Sequence, residues 1–236
     1  MTLVCLFDLN ETLLDMSALD PLFAQTFGEG KVVRSQWFGQ LLQSALVSTL
    51  LGPYIDFTTL GETALEMTAA RRKLTLTTAQ KSAILGGMRE LPPHPDVLDA
   101  LARLRQGGAR LAALTNSTLE AAQAQVQFAG LSDLFEQVLS ADSAQRLKPA
   151  PEPYHWAARQ MGVPIADTWL IAAHSWDTMG ALKAGCRTAF VARPEQPKDP
   201  SAPPTDISGA NLGAVAVQLL QSPLPGEAAP GVPAKY

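Results

Sequence analysis

Five short runs along this 236-residue chain are rich in apolar residues, and they fix its fold class more tightly than any other feature. The first, Leu3-Val4-Cys5-Leu6-Phe7, contains no Gly or Pro and shows none of the alternation expected of a strand with one wet face. Such a run suits a strand buried on both sides of a parallel sheet. Similar runs recur at 110–114, 135–139, 169–173 and 188–192, each preceded by a charged stretch with helically spaced apolar residues. That alternation from about residue 95 onward predicts a doubly wound α/β fold with a parallel sheet.

The helices are delimited by their end signals. Pro95-Asp96 opens the stripe Val97, Leu98, Ala100, Leu101, Leu104, and Gly107-Gly108 closes it. Ser117 or Thr118 caps a second helix that runs to Gly130; Asp177 leads into a third that stops at Gly185, and 212–220 reads as the last. Between about Met16 and Leu91 the pattern changes. Trp37, Leu41, Leu42, Ala45, Leu46 and then Leu60, Ala64, Leu65, Met67, Thr68 have helical spacing with no strand-like run between them. The expected organisation is a core of 1–15 and 92–222, a helical insert of 16–91 over the carboxyl ends of the strands, and a Pro/Gly/Ala-rich tail of 223–236 without fixed structure.

Composition narrows the function classes. With 47% hydrophobic and 17% charged residues, a net charge of -4 and no basic run, the chain has no nucleic-acid-binding signature. The apolar start is too short and unflanked for a signal peptide or membrane span, and the two cysteines, Cys5 and Cys186, lack metal or redox spacing. A cytoplasmic protein acting on a small molecule is expected, and the apolar stretches of the insert admit a homodimer. His94 and His155 have no ligand partners at useful spacing, and neither a GxSxG elbow nor a dinucleotide glycine fingerprint occurs.

Chemistry-bearing residues gather at four strand ends: Asp8 with Thr12, Thr115-Asn116-Ser117, Lys148, and His174-Ser175-Trp176-Asp177. Each has an ordinary explanation when taken singly. Asp8 suits a turn, Lys148 a surface loop before Pro149, Asp177 a helix cap, and 115–117 a capping turn. In a doubly wound sheet, however, these ends converge on one rim. There an ammonium holds a nucleophilic carboxylate ionised, a second carboxylate orients or deprotonates water, and hydroxyls with backbone N–H groups cradle an anion.

These residues carry a resemblance. Phe7-Asp8-Leu9-Asn10-Glu11-Thr12-Leu13-Leu14-Asp15, Leu114-Thr115-Asn116, Lys148-Pro149 and 172–177 are similar, in order, to the four motifs of the haloacid dehalogenase superfamily. The stretches 51–57 and 148–154 further resemble its 2-haloacid dehalogenase branch. The resemblance implies a Rossmann-like core with a helical cap after the first strand. It also implies hydrolysis of a short 2-haloacid to a 2-hydroxyacid through an ester on Asp8. Lys148, Asp177 and Thr12 would then be catalytic, and Thr115, Asn116, Ser117, Tyr154, His174 and Trp176 would form the pocket for a small carboxylate substrate.

Departures from the superfamily pattern sharpen this expectation. Its magnesium-dependent phosphatases carry a second Asp where this chain has Asn10 and another acid where it has Ala173. An amide cannot protonate a leaving alcohol and a hard cation loses a carboxylate, so neither metal nor other cofactor is expected. The resemblance also places a cap arginine at Ser48, four residues before Gly52, and Ser and Asn at Ala172 and His174. A divergent hydrolase or phosphatase with another substrate, and a binding protein that kept the fold, are the competing readings.

Overall fold

A computed structural model describes residues 2–223; the expectation for the tail beyond Pro223 lies outside the described residues. Six strands form one parallel sheet: β1 (Val4–Phe7), β2 (Arg110–Thr115), β3 (Gln137–Ser140), β4 (Thr168–Ala172), β5 (Arg187–Val191) and β6 (Ile207–Gly209), ordered β3-β2-β1-β4-β5-β6. The order reverses direction at β1, which pairs with β2 on one side and β4 on the other. Its carboxyl end is therefore the switch point where the crossovers diverge and leave a crevice.

The unbroken apolar runs are explained by two cores, one on each sheet face. Cys5, Phe7, Leu111, Ala113, Trp169 and Ile171 point to one; Val4, Leu6, Ala112, Leu114, Leu170 and Ala172 point to the other. Successive side chains on a strand alternate in direction, so a strand covered on both faces needs apolar residues at every position. Burial of each large side chain contributes about 1.5–3 kcal/mol, enough to hold β1 in the centre against the cost of burying Asp8 beyond it.

The helices follow their apolar stripes. In α5 (Val97–Gln106) the buried set is Val97, Ala100, Leu101 and Leu104, whereas Leu98 lies off the stripe and is exposed. Thr118, not Ser117, caps α6 (Leu119–Phe128) by accepting from the Ala121 amide. α7 (Pro151–Gln160), α8 (Ser175–Ala184) and α9 (Leu212–Gln221) complete the layers, and α8 ends at Gly185 with φ 100°, a dihedral that penalises other residues. α8 begins two residues earlier than the Asp177 signal suggests, so Asp177 lies inside its first turn and does not cap it. The third strand starts at Gln137, past Phe135, and β6 is too short and exposed to leave an apolar run.

Between β1 and α5 lie a short 3₁₀ turn and four helices, α1 (Asp20–Phe27), α2 (Lys31–Leu51), α3 (Phe57–Arg71) and α4 (Thr78–Gly87), with no strand among the described residues there. α2 and α3 pack around Trp37, whose ring nitrogen donates to the Gly61 carbonyl at 2.9 Å. One contiguous apolar cluster continues from the sheet into these helices through Leu13, Leu14, Met16, Leu19 and Phe23. The inserted helices are thereby fastened to the rim where β1 ends.

Candidate active site

Asp8 follows β1 directly, its backbone amide donating to the Ile171 carbonyl at 3.1 Å as if the strand continued. This fixes the side chain at the crevice. Lys148, on the loop before α7, donates from its ammonium to Asp8 Oδ1 at 2.9 Å, to Asp177 Oδ2 at 2.6 Å and to the Leu114 carbonyl at 2.8 Å. All three donors of the ammonium are satisfied, and its side chain has no solvent exposure. Tyr154 on α7 donates to Asp177 Oδ1 at 2.6 Å, and Thr12 donates to Asp8 Oδ2 at 2.6 Å while accepting from the Ala173 amide.

Electrostatics separates the two carboxylates. Burial alone raises the Asp8 pKa, but the Lys148 charge, aided by His174 and Thr12, overrides it and holds Asp8 well below the usual carboxylate range. Asp177 is raised, because its burial and the charge of Asp8 outweigh the pull of Lys148. Burial opposes the Lys148 charge too, yet Asp177 and Asp8 keep its pKa above the ordinary lysine value. Tyr154 is pushed well above an ordinary phenol by burial and by Asp177, so it remains a hydrogen-bond donor. A poor base that stays ionised sits beside a better one, the division that nucleophilic and general-base roles need.

The remaining strand-end residues meet at the same rim with more structural duties than the sequence suggests. Asn116 clasps the backbone of Lys148, accepting from its amide at 2.7 Å and donating to its carbonyl at 3.2 Å. Thr115 accepts from the Ser117 amide, and the Ser117 hydroxyl accepts from Asn10. Trp176 stacks on His174 with centroids 5.3 Å apart. Asn116, Lys148 and Trp176 share a cavity of about 20 Å³ with Leu42, Ala45 and Leu46 of α2. That holds little more than one water-sized group, and its α2 wall is wholly apolar.

Ser48 does not belong to this wall. Its hydroxyl donates to the Pro53 carbonyl at 3.3 Å, and it lines a different groove with Val47 and Ile55. Ser48 lies six residues, about one and two-thirds turns, beyond Leu42, so it is rotated away from that residue and toward the outer groove. The α2 residue that reaches the rings at the rim is Phe38, 6.5 Å from His174.

Three further residues shape the site without a signal strong enough to single them out in the sequence. Glu11 is buried and accepts from His174, and Arg34 of α2 is buried between Asp20, Glu195 and Glu11. The one cation in the apolar surroundings of Val32, Val33, Trp37 and Phe38 was the available clue to Arg34. Gly180 has none: a Cβ there would lie 2.5 Å from the Pro149 side chain and 2.8 Å from the Tyr154 hydroxyl. Its absence lets α8 approach the Lys148 loop closely enough to deliver Asp177.

The donor set does not suit a divalent cation. The ammonium of Lys148 fills the space between Asp8 and Asp177, Asn10 is turned to Ser117 and Gln125, and no cluster of three His, Cys, Asp or Glu side chains with metal-ligating geometry occurs among the described residues. Fold and site together define a Rossmann-like α/β enzyme with a buried aspartate at the switch point.

The model of the haloacid dehalogenase-like hydrolases matches residues 2–185. The chain belongs to that family of hydrolases. It is 31% identical over 188 residues to haloacetate dehalogenase H-2 of Moraxella sp. (strain B), covering 79% of this chain and 84% of the relative. It is 29% identical over 188 residues to an (S)-2-haloacid dehalogenase of Pseudomonas sp. (strain YL), covering 79% and 81%. A crystal structure of an L-2-haloacid dehalogenase superposes with a TM-score of 0.87 at 27% identity, over 94% of this chain and 99% of the other. No described helix is long and apolar enough to cross a membrane.

Proposed function

We propose that the chain hydrolyses short 2-haloacids to 2-hydroxyacids through an ester on Asp8, without a metal. The observation that carries this reading is the ammonium of Lys148 held between two buried carboxylates of unequal basicity. Asp8 Oδ1, which has one hydrogen bond, attacks carbon 2, and halide leaves with the bonding pair and needs no proton. Water then attacks the Asp8 carboxyl carbon and gives its proton to Asp177. The electron pair collects on Oδ2 beside Thr12, and the departing hydroxyacid oxygen takes a proton from Lys148. Asp177 returns a proton to Lys148 across 2.6 Å, and Asp8, left as a carboxylic acid whose pKa is held low, releases the second proton of the water to solvent, which restores the site.

Thr115, Asn116 and Ser117 at the mouth of α6 receive the substrate carboxylate, with Trp176 and Asn116 near the halide. The inserted helices 16–91 act as the cap over a core of 1–15 and 92–222. The substrate relation rests on the relatives, which are named for haloacetate and (S)-2-haloacids. Two free, buried cysteines support a cytoplasmic location. Halide release from a 2-haloacid panel, with phosphate esters as control and with and without chelator, tests the reading. Chelator-insensitive halide release is expected; magnesium-dependent phosphate release would overturn it.

A further inference from the structure

Next to Asp8 lies a pair that the two-step reaction above does not use. His174 is buried, with Nε2 2.8 Å from Glu11 Oε2 and Nδ1 3.4 Å from Asp8 Oδ2. A neutral imidazole has one N–H, so with a carboxylate opposite each nitrogen it would press a lone pair against one of them. Only the doubly protonated ring satisfies both. Nδ1 makes only this long approach and faces the same oxygen that Thr12 already engages at 2.6 Å.

The backbone points to the same pair. Glu11 adopts φ 61°, a left-handed conformation unfavourable for a residue with a Cβ. The other two described residues of this kind with side chains, Lys73 and Gln145, end a helix or a helical turn, where the conformation is routine. Glu11 instead sits in the turn after Asp8, with its carboxylate on His174 and 3.8 Å from Arg34 of α2. Strain kept beside a reacting group needs a compensating role for the side chain.

We propose that His174 is a second oxyanion donor for hydrolysis of the Asp8 ester, presenting a protonated ring N–H to Oδ2, and that Glu11 is the positioning residue that holds the ring charged and in place. This rests on the ester route above. When water attacks, Oδ2 gains the electron pair that leaves the C=O bond, and the 3.4 Å approach of Nδ1 tightens onto a full negative charge. His174 keeps its proton throughout; proton transfer stays with Asp177 and Lys148. The groups that face the ring are Asp8 and Glu11 from the β1 turn, Lys148 across Asp8, Arg34 across Glu11, and the uncharged rings of Phe38 and Trp176. Although burial pulls the His174 pKa down, hydrogen bonds and charge from Asp8 and Glu11 lift it to about 9, which keeps the donor charged over the working range.

The test uses Glu11→Gly, in which the left-handed turn is relieved, and the double variant Glu11→Gly/His174→Phe, which leaves no buried carboxylate unpaired. Rapid-quench halide release from 2-bromopropionate reports ester formation, and intact-mass analysis reports ester on Asp8. In the double variant ester hydrolysis falls about 100-fold, as for loss of one oxyanion donor, and the ester accumulates while halide release changes far less. Glu11→Gly shows the same defect at pH 8.5 and recovers toward wild type at pH 6, because the unanchored ring then gains its proton from solvent. Unchanged hydrolysis in the folded double variant, or equal slowing of both steps without ester accumulation, overturns the role. A wild-type enzyme that takes no ¹⁸O from water into Asp8 removes the ester route itself, a failure distinct from that of the pair.

Discussion

The rim of the sheet and the α2 face above it border one small space with opposite chemistry. The rim supplies Asp8, Lys148, Asp177, Thr12 and Asn116, each hydrogen-bonded to another rim group, whereas α2 supplies Leu42, Ala45 and Leu46. The one buried charge of α2, Arg34, is spent on Asp20, Glu195 and Glu11 at the side of the site. The contrast assigns reaction and selectivity to different regions. The rim fixes the charges through buried hydrogen bonds, and the helical wall sets polarity and room. Low-dielectric covering also strengthens each interaction beneath it.

If the chemistry belongs to the rim, Asp8→Asn causes the largest loss. Turnover of a 2-haloacid falls by on the order of 10⁴-fold with the thermal transition little changed, because the side chains are nearly isosteric. Residual halide release within tenfold of wild type would take the nucleophile away from Asp8. Next, Lys148→Met leaves two buried carboxylates without their cation and costs about 3–5 kcal/mol of stability. The depressed pKa of Asp8 stabilises the fold above its unfolded value of 3.8 and loses that contribution as pH falls through the lower folded value. In Lys148→Met burial instead raises the carboxylate pKa values, so urea melts from pH 3 to 8 should show the deficit relative to wild type shrinking as pH falls and growing as pH rises.

His174 gives the opposite pH signature. Its folded pKa of about 9 exceeds the unfolded 6.5, so its contribution is complete below pH 6.5 and is lost as pH rises toward 9. The loss is roughly 3 kcal/mol at most. It should vanish from urea melts of Glu11→Gly/His174→Phe.

The wall is expected to act on selectivity alone. Leu42→Ala enlarges the cavity and should raise kcat/KM for a 2-halobutanoate relative to haloacetate by about tenfold, the effect of roughly one methylene. A proportional loss on both substrates would mean that the wall positions the rim. The smallest effect belongs to Ser48→Arg. A position facing Pro53 should alter stability by less than about 0.5 kcal/mol, with halide release unchanged; a clear gain in turnover would show that α2 rotates to present this face.

Much of this was legible in the sequence because it depends on local pattern. A run such as 3–7 can be satisfied only by covering on both faces, and such a sheet brings Asp8, Thr115 and His174 to one rim whatever the loop details. Thr12 and Lys148, which taken singly suit an ordinary turn and a surface loop, stand out only through the motif resemblance. The resemblance points to residue 48, but distance along α2 from Gly52 says nothing of which face meets the rim, and Ser48 lines another groove. β6, with one buried residue in three, offered no apolar run. Glu11 was visible in its motif, but its left-handed backbone and its contact with a residue 163 positions away were not.

The sequence by itself determined the parallel sheet, the helical insertion after β1 and the set of polar strand ends, since burial periodicity and end signals act over a few residues. Tertiary structure alone decided that Lys148 joins Asp8 to Asp177, that Gly180 makes room for this, and that Glu11 and Arg34 approach His174 from two sides. Those contacts depend on distances between elements, which are set by close packing of side chains far apart in the chain.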